Sequence, residues 1–134
     1  MESLLQNKAD NFAVEIVSLC KYLQSKNEHI ISKQILRSGT SIGANIAEAQ
    51  YAASRADFIN KYQIALKEAN ETEYWLRLLQ NTGYLPQSIP SSKTVPCSLL
   101  PDHSSIPCSL LLDHCKELLR LLIASTRTAK GAQK

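Results

Sequence analysis

The stretch "ILRSGTSIGANIAEAQ", residues 35–50, decides how the chain folds. Its two glycines, two serines and one threonine sit among apolar residues that recur at helical spacing. A phosphate-binding loop would need G-x-x-x-x-G-K-[ST] between a strand and a helix, so that backbone N–H groups cradle the anion. Here Gly43 follows Gly39 by four residues, no lysine comes after, and no strand-like run precedes. The stretch therefore reads as helix, with Gly39, Gly43 and Ala47 as a small-xxx-small ridge that lets a second helix approach closely. Each interior glycine costs a helix about 1 kcal/mol, so the ridge implies a packing contact that offsets this cost.

Beside the ridge, Arg37, Ser41, Asn45 and Glu48 follow at steps of four, four and three. They form a polar strip next to an apolar seam of Ile31, Ile35, Ile42, Ile46 and Ala49. A solvated face is one reading. The other is a subunit interface or ligand-facing strip of Ser41, Asn45 and Glu48, because serine and asparagine are poor residues for a merely exposed helix.

Outward from this helix, expected over 28–53, the pattern repeats. Over 4–26, Leu5, Ala9, Phe12, Ile16, Leu19 and Leu23 alternate steps of three and four. Over 54–82, Phe58, Tyr62, Ala65, Ala69, Thr72, Leu76 and Leu79 do the same, behind a capping arrangement of Ser54 with Asp57 and ahead of a stop at Gly83. A last helix is expected over 109–130, on Leu111, Cys115, Leu118, Leu122 and Ala129. Four amphipathic helices with short first and second connections define an all-α, antiparallel four-helix bundle.

The third connection is different. All five prolines (Pro86, Pro90, Pro96, Pro101 and Pro107) lie within 86–107, and "VPCSLLPDH" (95–103) recurs as "IPCSLLLDH" (106–114). Two copies are too few for a stacked repeat. The reading is a local duplication inside a long, Pro-rich, irregular connection.

Composition sets further bounds. With 134 residues, 44% hydrophobic and 6% aromatic, the chain can bury a core and favours helix over sheet. No apolar run reaches the ~18 residues of a membrane span, and "MESLLQNKAD" lacks a basic region leading into an apolar core. A cytoplasmic address without membrane partners is expected, with the four cysteines as free thiols. A di-iron site is excluded because no glutamate has a histidine three residues on. Cys97, His103, Cys108, His114 and Cys115 lack the close C-x₂₋₄-C pair of a zinc site. No metal, no cofactor and no catalytic residue is expected, since no serine or cysteine sits in a nucleophile motif.

The strongest binding signal lies in the last helix. The formal net charge is +3, and from Cys115 onward Lys116, Arg120, Arg127, Lys130 and Lys134 face a single acid, Glu117. Lys116, Arg120, Arg127 and Lys134 share one stripe with Lys130 beside it, and Lys33 with Arg37 makes a second patch at i, i+4. Such charges often form a solvated face. In a symmetric oligomer they would form a positive surface suited to phosphate backbones.

The segments "SKQILRSGTSIGANIAEAQ" (32–50) and "FINKYQIALKEANETEYWLRLLQNTGYL" (58–85), with "ELLRLLIASTRTAKG" (117–131), resemble a bacterial family. These are the four-helix bundle proteins encoded in intervening sequences of 23S rRNA genes, related to the accessory proteins of diversity-generating retroelements. The resemblance implies a ring-shaped homopentamer. For the retroelement relatives it also implies a positive surface that engages RNA and a reverse transcriptase. Those relatives join their third and fourth helices by a short turn, which the duplicated insert replaces here. The expectation is a non-enzymatic oligomer that binds structured RNA through Lys116, Arg120, Arg127, Lys130, Lys33 and Arg37. The alternative is a scaffold that docks another protein without nucleic acid.

Overall fold

The structure is a computed structural model that describes residues 3–90 and 105–131. Among these residues it contains four helices, α1 (Leu4–Ser25), α2 (Ile30–Ala49), α3 (Arg55–Asn81) and α4 (Cys108–Gly131), and two short strands, β1 (Ser88–Pro90) and β2 (Ser105–Pro107). Each helix packs on the next in sequence, and α4 closes the ring against α1 along a sparser seam. The result is a four-helix bundle with an up-down-up-down course.

Local chemistry sets the helix ends. Ser3 caps α1 by accepting from the Gln6 N–H at 3.0 Å. Asn27 ends that helix in the left-handed conformation, φ 65°, which asparagine tolerates better than most residues. Its neighbour Glu28 donates back to the Leu23 carbonyl, and the Glu28 carboxylate in turn accepts from the Ser32 N–H and stabilises the start of α2. Ser54 and Asp57 cap α3 as the sequence suggests: Ser54 Oγ accepts from the Asp57 N–H, and Asp57 accepts from the Ala53 N–H. Gly83, at φ 81°, lets the Tyr84 N–H turn back to the Leu79 carbonyl.

The core runs the length of the bundle. Phe12, Ile16, Leu19 and Leu23 of α1 meet Ile35, Ile42 and Ile46 of α2, Leu76 and Leu79 of α3, and Leu111, Leu118 and Leu122 of α4. The two glycines of the opening stretch lie against α1. A Cβ built on Gly39 would stand 2.9 Å from Ile16 Cγ2, and one on Gly43 would stand 3.1 Å from an Asp10 carboxylate oxygen.

Three expectations need correction. The second helix stops at Ala49, short of residue 53: Gln50, Tyr51 and Ala52 donate to carbonyls three residues back, a tightened last turn that leads into extended Ser54. Ala47 is exposed, so the small-residue ridge has only two members, Gly39 and Gly43. The insert is not irregular throughout. Its ends pair as an antiparallel ladder with Ser88 opposite Pro107, Ile89 opposite Ile106 and Pro90 opposite Ser105. Ile89 is 1% exposed and joins the bundle core, which is the physical reason that the ladder forms where it does. Most of the Pro-rich connection, 91–104, lies outside the described residues, together with Cys97 and His103.

Candidate nucleic-acid interface

The apolar residues of α4 recur so that Leu111, Cys115, Leu118 and Leu122 face inward, and the opposite face must then carry what is polar. Lys116, Arg120, Arg127 and Lys130 are all exposed there, and within the described residues none of the four forms an ion pair. At 1.5 Å per residue they extend over about 21 Å of helix. Exposed Ile123 interrupts the stripe and Asp113 precedes it by one turn. Lys134, the last member of the stripe in the sequence, lies outside the described residues.

The one acid among them in the sequence points elsewhere. Glu117 accepts from Lys8 of α1 at 3.1 Å, and one turn earlier His114 Nδ1 lies 2.7 Å from Glu15. These two pairs bridge the α1–α4 seam and draw the Glu117 charge away from the basic face. Adjacent residues of α4 thus serve different neighbours: His114 meets α1, while Cys115 donates to the Ala69 carbonyl of α3. Among the described residues no three His, Cys, Asp or Glu side chains are placed to hold a metal.

The second basic patch is arranged otherwise. Lys33 is exposed. Arg37 forks between Glu68 and Glu71 of α3, and Glu71 also accepts from the Trp75 indole N–H at 3.0 Å. The Trp75 bond first, and Arg37 with it, hold the Glu71 carboxyl below the usual glutamate range, while Glu71 and Glu68 keep Arg37 still more firmly charged. The rest of the strip is similarly engaged: Ser41 Oγ donates to the Arg37 carbonyl, Asn45 Nδ2 donates to the Ser41 carbonyl, and Glu48 pairs with Lys61 of α3 at 3.0 Å. The strip therefore follows the α2–α3 seam. Carboxylates three residues apart on α3, Glu68 and Glu71, were the sequence signal for a cation on the facing helix.

The described cysteines are sealed in the core. Burial pushes the Cys20 and Cys115 thiols up to about 12 and that of Cys108 up to about 11. A thiolate is the reactive form, so these three should resist alkylation near neutral pH in the native protein and react fully in denaturant. Peptide mapping by mass spectrometry checks this; rapid native labelling of Cys20 or Cys115 would contradict the packing.

A four-helix bundle whose last helix turns to solvent a basic face unpaired among the described residues is the class that fold and site define. The chain belongs to the 23S rRNA-intervening sequence protein family, whose model matches residues 2–93. A solved structure from Bacteroides thetaiotaomicron, a protein of unknown function from the S23 ribosomal protein family, is 46% identical. The match covers 92% of this chain and 96% of that one, with a TM-score of 0.75. No curated protein matches. No helix among the described residues is long and apolar enough to cross a membrane.

Proposed function

We propose that the protein is a non-enzymatic, oligomeric bundle that binds structured RNA through the outer face of α4. The observation that carries this reading is the contrast in charge pairing. Arg37, Lys61, Lys8 and Arg77 are each matched to a carboxylate, and the unmatched Lys21, Lys26, Lys33, Arg55 and Lys67 are scattered over α1, α2, α3 and their ends. Lys116, Arg120, Arg127 and Lys130, by contrast, are exposed and unmatched among the described residues and lie together on one face of α4. Cations left free in this way release the counterions of a phosphate backbone on binding and fix its position without reading its sequence. Assembly into a homopentamer would repeat the stripe around a ring, and the Arg37–Glu48 strip would be left to meet a subunit or another protein such as a reverse transcriptase.

Titration of purified protein against a structured RNA at several salt concentrations tests the reading. With four to five phosphates neutralised, log affinity is expected to fall against log salt with a slope near −4, at ~0.9 per contact. The double variant R120Q/R127Q should bring the slope to about −2. Weak binding that does not respond to salt would overturn the proposal and favour a protein-docking scaffold.

A further inference from the structure

Between α3 and α4, at the end of the basic stripe, lies a groove of about 210 Å³ lined by Gln63, Leu66, Ile123, Thr126, Arg127 and Lys130. Three observations single it out. Ile123 is 42% exposed, a large apolar side chain in the middle of a charged face. Thr126 is buried, and its hydroxyl has no hydrogen-bond partner within the described residues. Other buried helical hydroxyls are satisfied: Ser18 donates to Val14, Ser38 to Ile35 and Thr72 to Glu68 and Ser38. Ser32 Oγ, on α2, shares the unpartnered state. Finally, two of the four α4 cations without an ion pair among the described residues, Arg127 and Lys130, line the same groove.

We infer that this groove seats one unpaired base of the bound RNA, extruded from its strand, with the flanking phosphates on Arg127 and Lys130. The inference rests on the RNA-binding reading and adds to it a chemical preference that a stripe of phosphate contacts lacks. The volume is below the ~300–1,000 Å³ that holds a drug-sized molecule, and suits a single flat heterocycle. Leu66 and Ile123 offer aliphatic walls to the faces of the base. The Gln63 amide offers donor and acceptor groups for its edge, and the Thr126 hydroxyl, which lies just beneath the groove surface without a partner among the described residues, joins it once a seated base draws the side chain round. A fully paired stem can use the cations and leaves the groove empty; a bulged nucleotide can use both, because an unpaired base is the least costly to extrude.

The test compares two RNA hairpins with the same stem, one fully paired and one carrying a single-nucleotide bulge. The native protein should bind the bulged hairpin about ten-fold more tightly, the gain expected when a modest apolar area of Leu66 and Ile123 is buried against the base. Thr126→Val, which keeps the side-chain shape, and Gln63→Ala should each abolish most of that preference while leaving affinity for the paired stem unchanged. Ile123→Ala, at an exposed position, should do the same. Equal affinity of the native protein for both hairpins, with the salt slope intact, would overturn the base seat and leave the RNA-binding reading standing. Loss of salt-dependent binding to both hairpins would overturn the two together. A changed sedimentation state of the Ile123→Ala protein with the bulge preference retained would assign the groove to a second copy of this chain and also overturn the seat.

Discussion

Replacing Gly39 by valine is expected to lower the free energy of unfolding by about 2–3 kcal/mol, the upper part of the range for an overpacked core. The β-carbon alone would stand 2.9 Å from Ile16 Cγ2 and 3.0 Å from Cγ1, and Ile16 is fully buried with nowhere to withdraw. A branched side chain adds two more carbons at the same place. Even Gly39→Ala should destabilise, because the gain of about 1 kcal/mol in helix propensity is set against displacement of a packed isoleucine. Gly43→Ala should behave in the opposite sense. Its β-carbon meets the exposed Asp10 carboxylate at 3.1 Å and Ala9 Cβ at 3.7 Å, an adjustable neighbour and an ordinary contact. Urea unfolding of the three variants would separate the two glycines by sign; equal losses at Gly39→Ala and Gly43→Ala would refute the close approach of α2 to α1 at Gly39.

The second large effect is expected at Ile89. It is a single apolar residue in a short strand, yet it is as buried as the bundle leucines and pairs with Ile106. Truncation to alanine should cost about 2–4 kcal/mol, as for an isoleucine within a core, and far more than a loop position would. Ile106→Ala should cost less, since Ile106 is only partly buried. If Ile89→Ala unfolds at the urea concentration of the native protein, the ladder contributes nothing to the fold.

The helices were legible because apolar spacing alone specifies them. Tyr62, Ala65, Ala69, Thr72, Leu76 and Leu79 hold one register over α3, and all are buried. Ser54 and Gly83 mark its ends by chemistry that acts within a few residues. The ladder was not read from the sequence, because a strand of three residues has no periodicity and its partner lies seventeen residues away. Its trace was nonetheless present: "SIP" occurs at 88–90 and again at 105–107, the two segments that pair. Ala47 shows the limit of reading an i, i+4 series: each step turns about 40° further round a helix of 3.6 residues per turn, and the third member has rotated out to solvent.

The basic stripe of α4 was visible as a pattern, and the exposure of Lys116, Arg120, Arg127 and Lys130 follows from the same leucine periodicity that fixes the inner face. The state of each charge was not visible. Whether a cation is free depends on which carboxylate the facing helix presents, as Arg37 between Glu68 and Glu71 and Glu117 on Lys8 illustrate. Likewise the groove beside Thr126 needs α3 and α4 side by side, and no single helix wheel contains it.

The paired strands carry an implication for how this gene can change. They hold Pro90 and Ser105 as neighbours, so the bundle senses only that the two ends meet and is largely indifferent to how much chain runs between them. Closing a flexible loop costs about 0.6 kcal/mol for each doubling of its length, a small sum beside one buried isoleucine. A duplication of eleven residues could therefore be accepted at this point without redesign of the four helices. The same junction is where further sequence, or an engineered domain, can enter the family fold at least expense to its stability.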